Sequence, residues 1–283
     1  MTEPAAADRR QVVVRETACK TILNRSSLGD YSLNCYTGCE HACVYCYARF
    51  MQRFHPHAEA WGQFVDVKVN AVEVLRRQLR HAQPGEVFVS SACDGWQPIE
   101  RDRGLTRRCC ELLLAYGFEL HVLTKSDLVL RDLELFAGQK VRIGITVTTL
   151  DEALLAHWEP QAARVEGRFG VLKEARRLGL ETSIMFGPLL PWLSDSQDTL
   201  DAMFQRAADL HVDVIWVDAL NPRPRVWPAV SQLLRSRFPD LVRRYQQMLF
   251  DSAVRAKYLT ELGQRVQHAA ERASLQDRIA RCF

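Results

Sequence analysis

No stretch of this 283-residue chain approaches the ~18 uninterrupted apolar residues of a membrane span. Met1 to Arg10 holds alanine and arginine but no apolar core of leader length, so a soluble, cytoplasmic protein with no membrane partner is expected. Phosphate turns of the GxGxxG or Walker type are missing, as is any recognisable Ser-His-Asp arrangement, which removes the commonest nucleotide-fold and hydrolase signatures. There is no internal repeat, low-complexity tract or Gly-Ser linker, so repeat and tethered architectures have no support. Net charge is only +3, and 47% hydrophobic residues exclude a disordered or fibrous chain.

Cysteine, by contrast, is plentiful. Nine are present, an odd number and clustered, which argues for free thiols in a reducing compartment rather than a secreted disulfide framework. Three fall in Gly38-Cys39-Glu40-His41-Ala42-Cys43-Val44-Tyr45-Cys46, a CxxxCxxC spacing with an aromatic before the last. Three thiolates this close can hold a four-iron cluster while leaving its fourth iron without a protein ligand, open to a small molecule. The competing reading is a structural zinc site with Cys35 or His41 as fourth ligand and no catalysis. Knuckle-type zinc sites usually pair two short Cys-x2-Cys hairpins, and no second pair occurs. Cys35 itself reads as a spare buried cysteine or as a protective or alternative ligand.

The spacing, with Tyr45 at the aromatic position, resembles the radical S-adenosylmethionine (SAM) enzymes. The wider string from Asn34-Cys35-Tyr36-Thr37 to Cys46-Tyr47-Ala48 is similar to the spore photoproduct lyase-related branch. The resemblance implies a [4Fe-4S] cluster on Cys39, Cys43 and Cys46 whose open iron chelates SAM. One electron from a donor such as flavodoxin or ferredoxin would then cleave the sulfonium and yield a hydrogen-abstracting 5'-deoxyadenosyl radical. DNA photoproduct repair is the lyase-like substrate it suggests; modification of RNA, a peptide or a small metabolite is the alternative.

Along the chain, short apolar runs alternate with amphipathic stretches, the mark of βα units and a mainly parallel sheet. Strands are predicted at 31–35, 86–92, 119–124, 141–148, 181–186 and 212–217. Helices are predicted at 128–136, 164–178 and 199–210, with apolar stripes also at Val69, Val72, Leu75, Leu79 and at Leu105, Cys109, Leu112, Leu113. Six such units predict an α/β fold, a partial (β/α)6 TIM-like barrel, whose working groups belong at strand C-termini. The prolines in Asn221-Pro222-Arg223-Pro224-Arg225 and Trp227-Pro228 predict a break, followed by helices from about Ser231. The resulting division is an N-terminal extension (1–30), the barrel (31–222) and a basic helical extension (223–283).

The other site candidates lie where strands end. Ser90-Ser91-Ala92-Cys93-Asp94-Gly95-Trp96-Gln97-Pro98-Ile99-Glu100 resembles the branch's Asp-x-Tyr-Gln-Pro-x-Glu stretch, with Trp96 in place of Tyr. Asp94 and Gln97 are expected to accept hydrogen bonds from the SAM ammonium. By the same resemblance Cys93 is the hydrogen-atom donor to a substrate radical; as a bare residue it is equally a small buried apolar group. Lys125 is expected to neutralise a carboxylate or phosphate. Alternation puts Thr146 and Thr148 on one face, and the resemblance of this segment to the branch's fourth strand implies that these hydroxyls meet the SAM ribose and carboxylate. Met185 and Pro188, in Met185-Phe186-Gly187-Pro188, are expected against adenine, with Tyr45 flanking it or packing under the loop. His55 and His57 read as loop residues. Residues 223–283 carry twelve Lys and Arg against five acids, a balance that suits a nucleic-acid partner or, more blandly, solvated helix faces.

Overall fold

The computed structural model describes residues 12–223 and 225–283. The N-terminal segment Met1 to Arg10 and Pro224, one of the prolines of the expected break, lie outside the described residues. In chain order the strands are β1 (Val13–Thr17), β2 (Leu23–Arg25), β3 (Tyr31–Leu33), β4 (Tyr36–Thr37), β5 (Phe64–Lys68), β6 (Glu86–Val89), β7 (Glu119–Thr124), β8 (Val141–Val147), β9 (Glu181–Leu189), β10 (Val214–Ala219) and β11 (Ile279–Arg281). The helices are α1 (Ala71–Leu79), α2 (Glu100–Arg103), α3 (Leu105–Ala115), α4 (Leu133–Phe136), α5 (Glu152–Trp158), α6 (Val165–Arg177), α7 (Gln197–Asp209), α8 (Val226–Arg237), α9 (Val242–Phe250) and α10 (Ser252–Arg272).

Among the described residues the larger sheet runs β11-β10-β9-β8-β7-β6-β3-β2, with every neighbour parallel except the β2–β3 pair. Strands stand at all six expected places, and the α/β arrangement is consistent with a partial TIM barrel. The sheet nevertheless has eight strands rather than six. β2 and β11 cover backbone edges that six strands would leave open, and each is three residues long, too short to carry a period-two signal. A second sheet, β1-β5-β4, takes β4 and β5 from the long crossover between β3 and β6 and β1 from the chain ahead of β2.

The alternation in β8 shows how the layers form. Val141, Ile143, Ile145 and Val147 are buried on one face, where α6 packs, while Arg142, Gly144 and Thr146 take the other. Helix α7 supplies a matching stripe of Leu200, Met203, Phe204 and Ala207, each worth up to about 1.5–3 kcal/mol of burial for the larger side chains. Gly117 and Gly179 adopt positive φ just past α3 and α6, where a left-handed residue ends a helix. On the sheet's other face, Phe88 meets His121 at 4.7 Å and His121 meets Trp216 at 4.9 Å between ring centroids.

The C-terminal segment starts its helix earlier than expected. Pro228 sits in the first turn of α8, where a missing N–H costs nothing, so Trp227-Pro228 lies inside the helix and the break falls before Val226. Tyr245, Met248 and Leu249 are buried, and α10 returns the chain so that β11 pairs with β10.

Candidate active site

The cysteine loop leaves β4 through Gly38 at φ +85°, where a Cβ would lie 2.4 Å from the Phe64 carbonyl oxygen. Facing it, Gly62 has φ +96° and its Cβ would stand 2.3 Å from that of Ala42. Close approach of these two segments therefore requires glycine at both places. Within the loop Cys39, His41, Cys43 and Tyr45 are buried, and Glu40, Ala42, Val44 and Cys46 are half-exposed. Strict alternation gives the loop an inner row and an outer row.

The loop has little regular structure of its own, and side chains from elsewhere fix its backbone. Gln97, fully buried, accepts from Glu40 N at 2.8 Å and donates to Gly38 O at 3.3 Å. Glu40 returns the contact by accepting from Ile99 N at 2.6 Å. Val44 N donates to Trp158 O at 2.9 Å, Gln161 N to His41 O at 3.3 Å, and Arg49 to Cys43 O at 3.2 Å. Asp94 completes the clamp: it accepts from Trp96 N (2.9 Å), Thr124 Oγ1 (2.7 Å) and Lys125 N (2.8 Å), with His41 Nδ1 at 3.4 Å. Asp94 and Gln97 thus hold the loop through these bonds.

A buried polar network supports the inner row. Tyr45 donates its hydroxyl proton to Glu159, which also accepts from Thr148 Oγ1 at 2.8 Å and pairs with Arg168. Glu159 and Arg168 side chains are both 0% exposed, so the ion pair survives on hydrogen bonds: Arg168 also donates to Ala163 O (2.9 Å) and Thr146 O (2.8 Å). Burial pushes Glu159 upward, but Arg168 and then Lys125 outweigh it and hold the carboxyl below its usual range. Thr148 also stands 3.1 Å from Gly187 O, so its hydroxyl is spent inside this network rather than turned to a ligand. Lys125 brings its ammonium 5.7 Å from the centre of the Tyr45 ring.

All three loop thiols are raised in pKa, first by burial. For Cys39 the Asp94 carboxylate and the other two thiols add to the effect, and for Cys43 Glu159 does. Lys125 eases both Cys43 and Cys46, and backbone amides of Ala48 and Arg49 ease Cys46. Three buried thiols on one short loop fit a sulfur-ligated metal cluster, whose positive charge would favour their deprotonated form.

Cys93 is buried on the loop after β6, with Sγ 3.8 Å from Asn34 Oδ1. Asn34 is fixed in turn by Ala92 N at 2.7 Å and Ser91 Oγ at 2.9 Å. Burial, offset in part by Lys68, pushes the Cys93 thiol up to about 12. It is therefore an S–H group at neutral pH and a poor nucleophile. Tyr47, next to Cys46, donates its hydroxyl to Ser91 O at the rim of the same loop. Met185 and Pro188 are half-exposed on β9, and Thr146 is buried on β8 beside Met185. Sequence reading missed Glu159 and Arg168 altogether. Arg168 carried a usable signal, because it falls on the buried Val165, Phe169, Leu172 stripe of α6. Glu100 is fully buried, accepts from Tyr36 and caps α3 through Thr106 N (3.1 Å) and Arg107 N (3.0 Å).

Residues 33–203 match the Radical SAM superfamily, a span that takes in the cysteine loop, the Asp94 clamp and β9. The chain belongs to the radical SAM superfamily. Its cofactors are accordingly a [4Fe-4S] cluster and SAM. It is 36% identical over 166 residues to an uncharacterized protein of Methanocaldococcus jannaschii, covering 58% of this chain and 62% of that one. The chain thus spans somewhat less than two thirds of that relative. An uncharacterized protein of Mycobacterium tuberculosis is 30% identical over 251 residues, covering 84% of this chain and 74% of the relative. Among solved structures, spore photoproduct lyase complexed with dinucleoside spore photoproduct superposes with TM-score 0.68 at 14% identity, over 95% of this chain and 82% of the other. A variant of that lyase with bound AdoMet and the same dinucleoside gives 0.69 at 15% identity, over 96% and 82%. At such identity the likeness is one of fold. Among the described residues no helix is long and apolar enough to cross a membrane.

Proposed function

We propose that this radical SAM enzyme works on a nucleic-acid photoproduct in the manner of a lyase, with Cys39, Cys43 and Cys46 as the cluster ligands and Cys93 as hydrogen-atom donor. When bound, the cluster and SAM supply a hydrogen-abstracting carbon radical. Cys93 carries the reading: a buried thiol, kept protonated by its surroundings and aimed by Asn34, on the strand-end loop that also clamps the cysteine loop. Its part is to break S–H and form C–H at a substrate carbon radical, leaving a thiyl radical on sulfur. The remaining residues orient and exclude water: Gln97 and Asp94 fix the loop, and the Glu159–Arg168 pair fixes Tyr45. In this reading Lys125 neutralises the SAM carboxylate, while Thr146, Met185 and Pro188 serve the ribose and adenine. A one-electron carrier such as flavodoxin or ferredoxin would supply the electron for that chemistry.

Among the described residues no three His, Cys, Asp or Glu side chains converge as the ligands of one metal ion do, which weighs against a closed zinc site. Thiolates on a four-iron cluster stand farther apart.

The test is anaerobic reconstitution, then dithionite and SAM with chromatographic detection of 5'-deoxyadenosine, with and without irradiated DNA. Cys93→Ala should keep SAM cleavage within about twofold of wild type while losing repaired dinucleotide by more than about a hundredfold. Equal product from Cys93→Ala would remove it as donor. Deoxyadenosine release that ignores irradiated DNA but responds to RNA, a peptide or a metabolite would replace the substrate.

A further inference from the structure

Four neighbouring parallel strands bring residues of the proposed site to their C-terminal ends: Cys93 follows β6, Lys125 follows β7, Thr146 lies on β8, and Met185 and Pro188 lie on β9. The next strand, β10, ends in Asp218-Ala219. In a parallel barrel such strand ends open onto one mouth. Along β10 Ile215, Val217 and Ala219 are buried, while Val214, Trp216 and Asp218 alternate to the other face and are half-exposed. Trp216 marks that face as the inner one, since its ring stands 4.9 Å from His121 and its register partner is Met185. Asp218, two residues on, therefore faces the mouth.

Its surroundings hold the carboxylate in place. The β9–β10 register shifts beside it, between Val217 and Ala219. A Cβ on Gly187 of β9 would stand 3.1 Å from Asp218 Cβ and 3.2 Å from its backbone N and O, so glycine admits the close approach. From α10, Arg255 donates to Leu220 O at 3.1 Å and to Asn221 Oδ1 at 2.9 Å. That fixes the Asn221 amide with its nitrogen toward Asp218 Oδ1 at 3.4 Å and Ala219 O at 3.0 Å. Among the described residues Asn221 is the one side chain that donates to Asp218, which is in no ion pair and keeps acceptor capacity toward the mouth. Burial raises its carboxyl, offset in part by the Ala219 amide, Asn221, Arg255 and Arg223. Tyr47 ties this group to Cys93. Its hydroxyl donates to Ser91 O on the loop that carries Cys93. Burial lifts that hydroxyl first, Cys46, Cys93 and Asp218 add to the effect and Arg223 eases it, so Cys93 and Asp218 stand within electrostatic reach of one group.

We infer that Asp218 is a specificity-determining residue that accepts a hydrogen bond from the imide N–H of a pyrimidine ring seated in the mouth. The inference rests on the proposed nucleic-acid photoproduct and names the group that reads its base. Phosphate oxygens, sugar ring oxygens and pyrimidine carbonyls only accept hydrogen bonds, and so does a carboxylate. The imide N–H is the donor on a thymine-type ring, and it lies on the Watson–Crick edge that is freed when a base is splayed out of its pair. A site built around such an acceptor rejects a ring that lacks the donor, because the carboxylate is then left without a partner. Asn221 and Arg255 are positioning residues: they act through Asp218, and through them α10 contributes to the site.

The experiment measures, by fluorescence anisotropy on the reconstituted enzyme with SAM, the binding of two single-stranded thymidine oligonucleotides, one plain and one methylated at N3 of every thymine. Wild type should bind the plain strand about tenfold or more tightly than the methylated one, and Asp218→Ala should shrink that preference to within about twofold. Asn221→Ala, which frees the carboxylate to turn, should leave an intermediate preference of about threefold. The KM for SAM, read from deoxyadenosine release under dithionite, should stay within about twofold in both variants. Equal binding of the two strands by wild type, or no binding of either, overturns the inference. So does a preference that persists in Asp218→Ala, which would give the reading of the imide to another group. A tenfold rise in the KM for SAM in Asp218→Ala also overturns it, and would assign the carboxylate to the SAM ribose hydroxyls. The binding assay needs no turnover and so stands apart from the lyase reading. Deoxyadenosine release that ignores irradiated DNA would remove photoproduct repair, while methyl-sensitive binding that depends on Asp218 would keep the pyrimidine assignment.

Discussion

In the middle of the larger sheet Phe88, His121 and Trp216 stack edge to face and tilted, on strands whose backbone bonds form a regular parallel ladder. At the ends of β6, β7 and β8 the opposite holds: an irregular loop carries the cysteines, and its backbone is satisfied one group at a time by Gln97, Asp94, Arg49 and the Trp158 carbonyl. The first region tolerates error because apolar contacts are non-directional and spread over many atoms. The second depends on a few directional bonds in a low-dielectric setting, where each broken partner leaves an orphan. Precision of the cysteine loop is obtained at the place where the structure is most easily damaged.

Removing a loop thiol should separate the two regions most completely. Cys43→Ala is expected to lose reconstituted iron, sulfide and visible absorbance to background, with a urea midpoint for the apo-protein near that of wild type. A large drop in that midpoint would mean the thiol serves packing. Next in size is Arg168→Met, which strands the Glu159 charge in a fully buried site and should cost about 3–5 kcal/mol in denaturant unfolding. Adding Glu159→Gln to it should recover a good part; no recovery would place the cost in lost packing rather than in the unpaired charge.

The stacked region offers a pH test. Burial, with a smaller push from Arg142, lowers His121 from 6.5 to about 4. The unfolded chain takes up this proton near pH 6.5 and the folded chain only near 4, so its stability contribution is complete above about 6.5 and lost as pH falls toward 4. The full swing is about 3 kcal/mol, and His121→Phe should flatten the stability profile across that window. An unaltered profile would show that His121 does not titrate there. The smallest effect is expected for Trp96→Phe, which deletes the indole bond to Asp132 (2.8 Å) while Arg107 and Arg131 still hold that carboxylate; about 1 kcal/mol in thermal unfolding is anticipated.

Much of this was legible from residue order. β7 to β10 announced themselves through apolar runs, because both faces of such strands are covered and the pattern repeats over six or more residues; the shorter β3 and β6 were read as parts of longer apolar stretches, 31–35 and 86–92. β2 and β11 did not, since three residues hold no period and an edge strand is recruited by an open neighbour. The cysteine loop was legible because its ligands are local in sequence. The protein partners of Asp94, Gln97 and Thr148 were not legible for one common reason: polar letters at strand ends look alike whether they face a ligand or a backbone amide. Charge counting suggested a uniformly basic C-terminal segment, yet half of it is consumed by partners such as Asp195 and Asp201 from the preceding α/β segment.

What the amino-acid order determined by itself was therefore the metal-binding spacing, the α/β alternation and the presence of a thiol after β6, all of which depend on neighbours a few residues apart. Only the tertiary structure decided that Glu159 and Arg168 lie beneath Tyr45 and that Asp94 clamps His41 and Lys125. Those pairings join residues far apart in the chain. Their energies come from burial and saturation of hydrogen bonds, quantities that exist only once the sheet has closed around them.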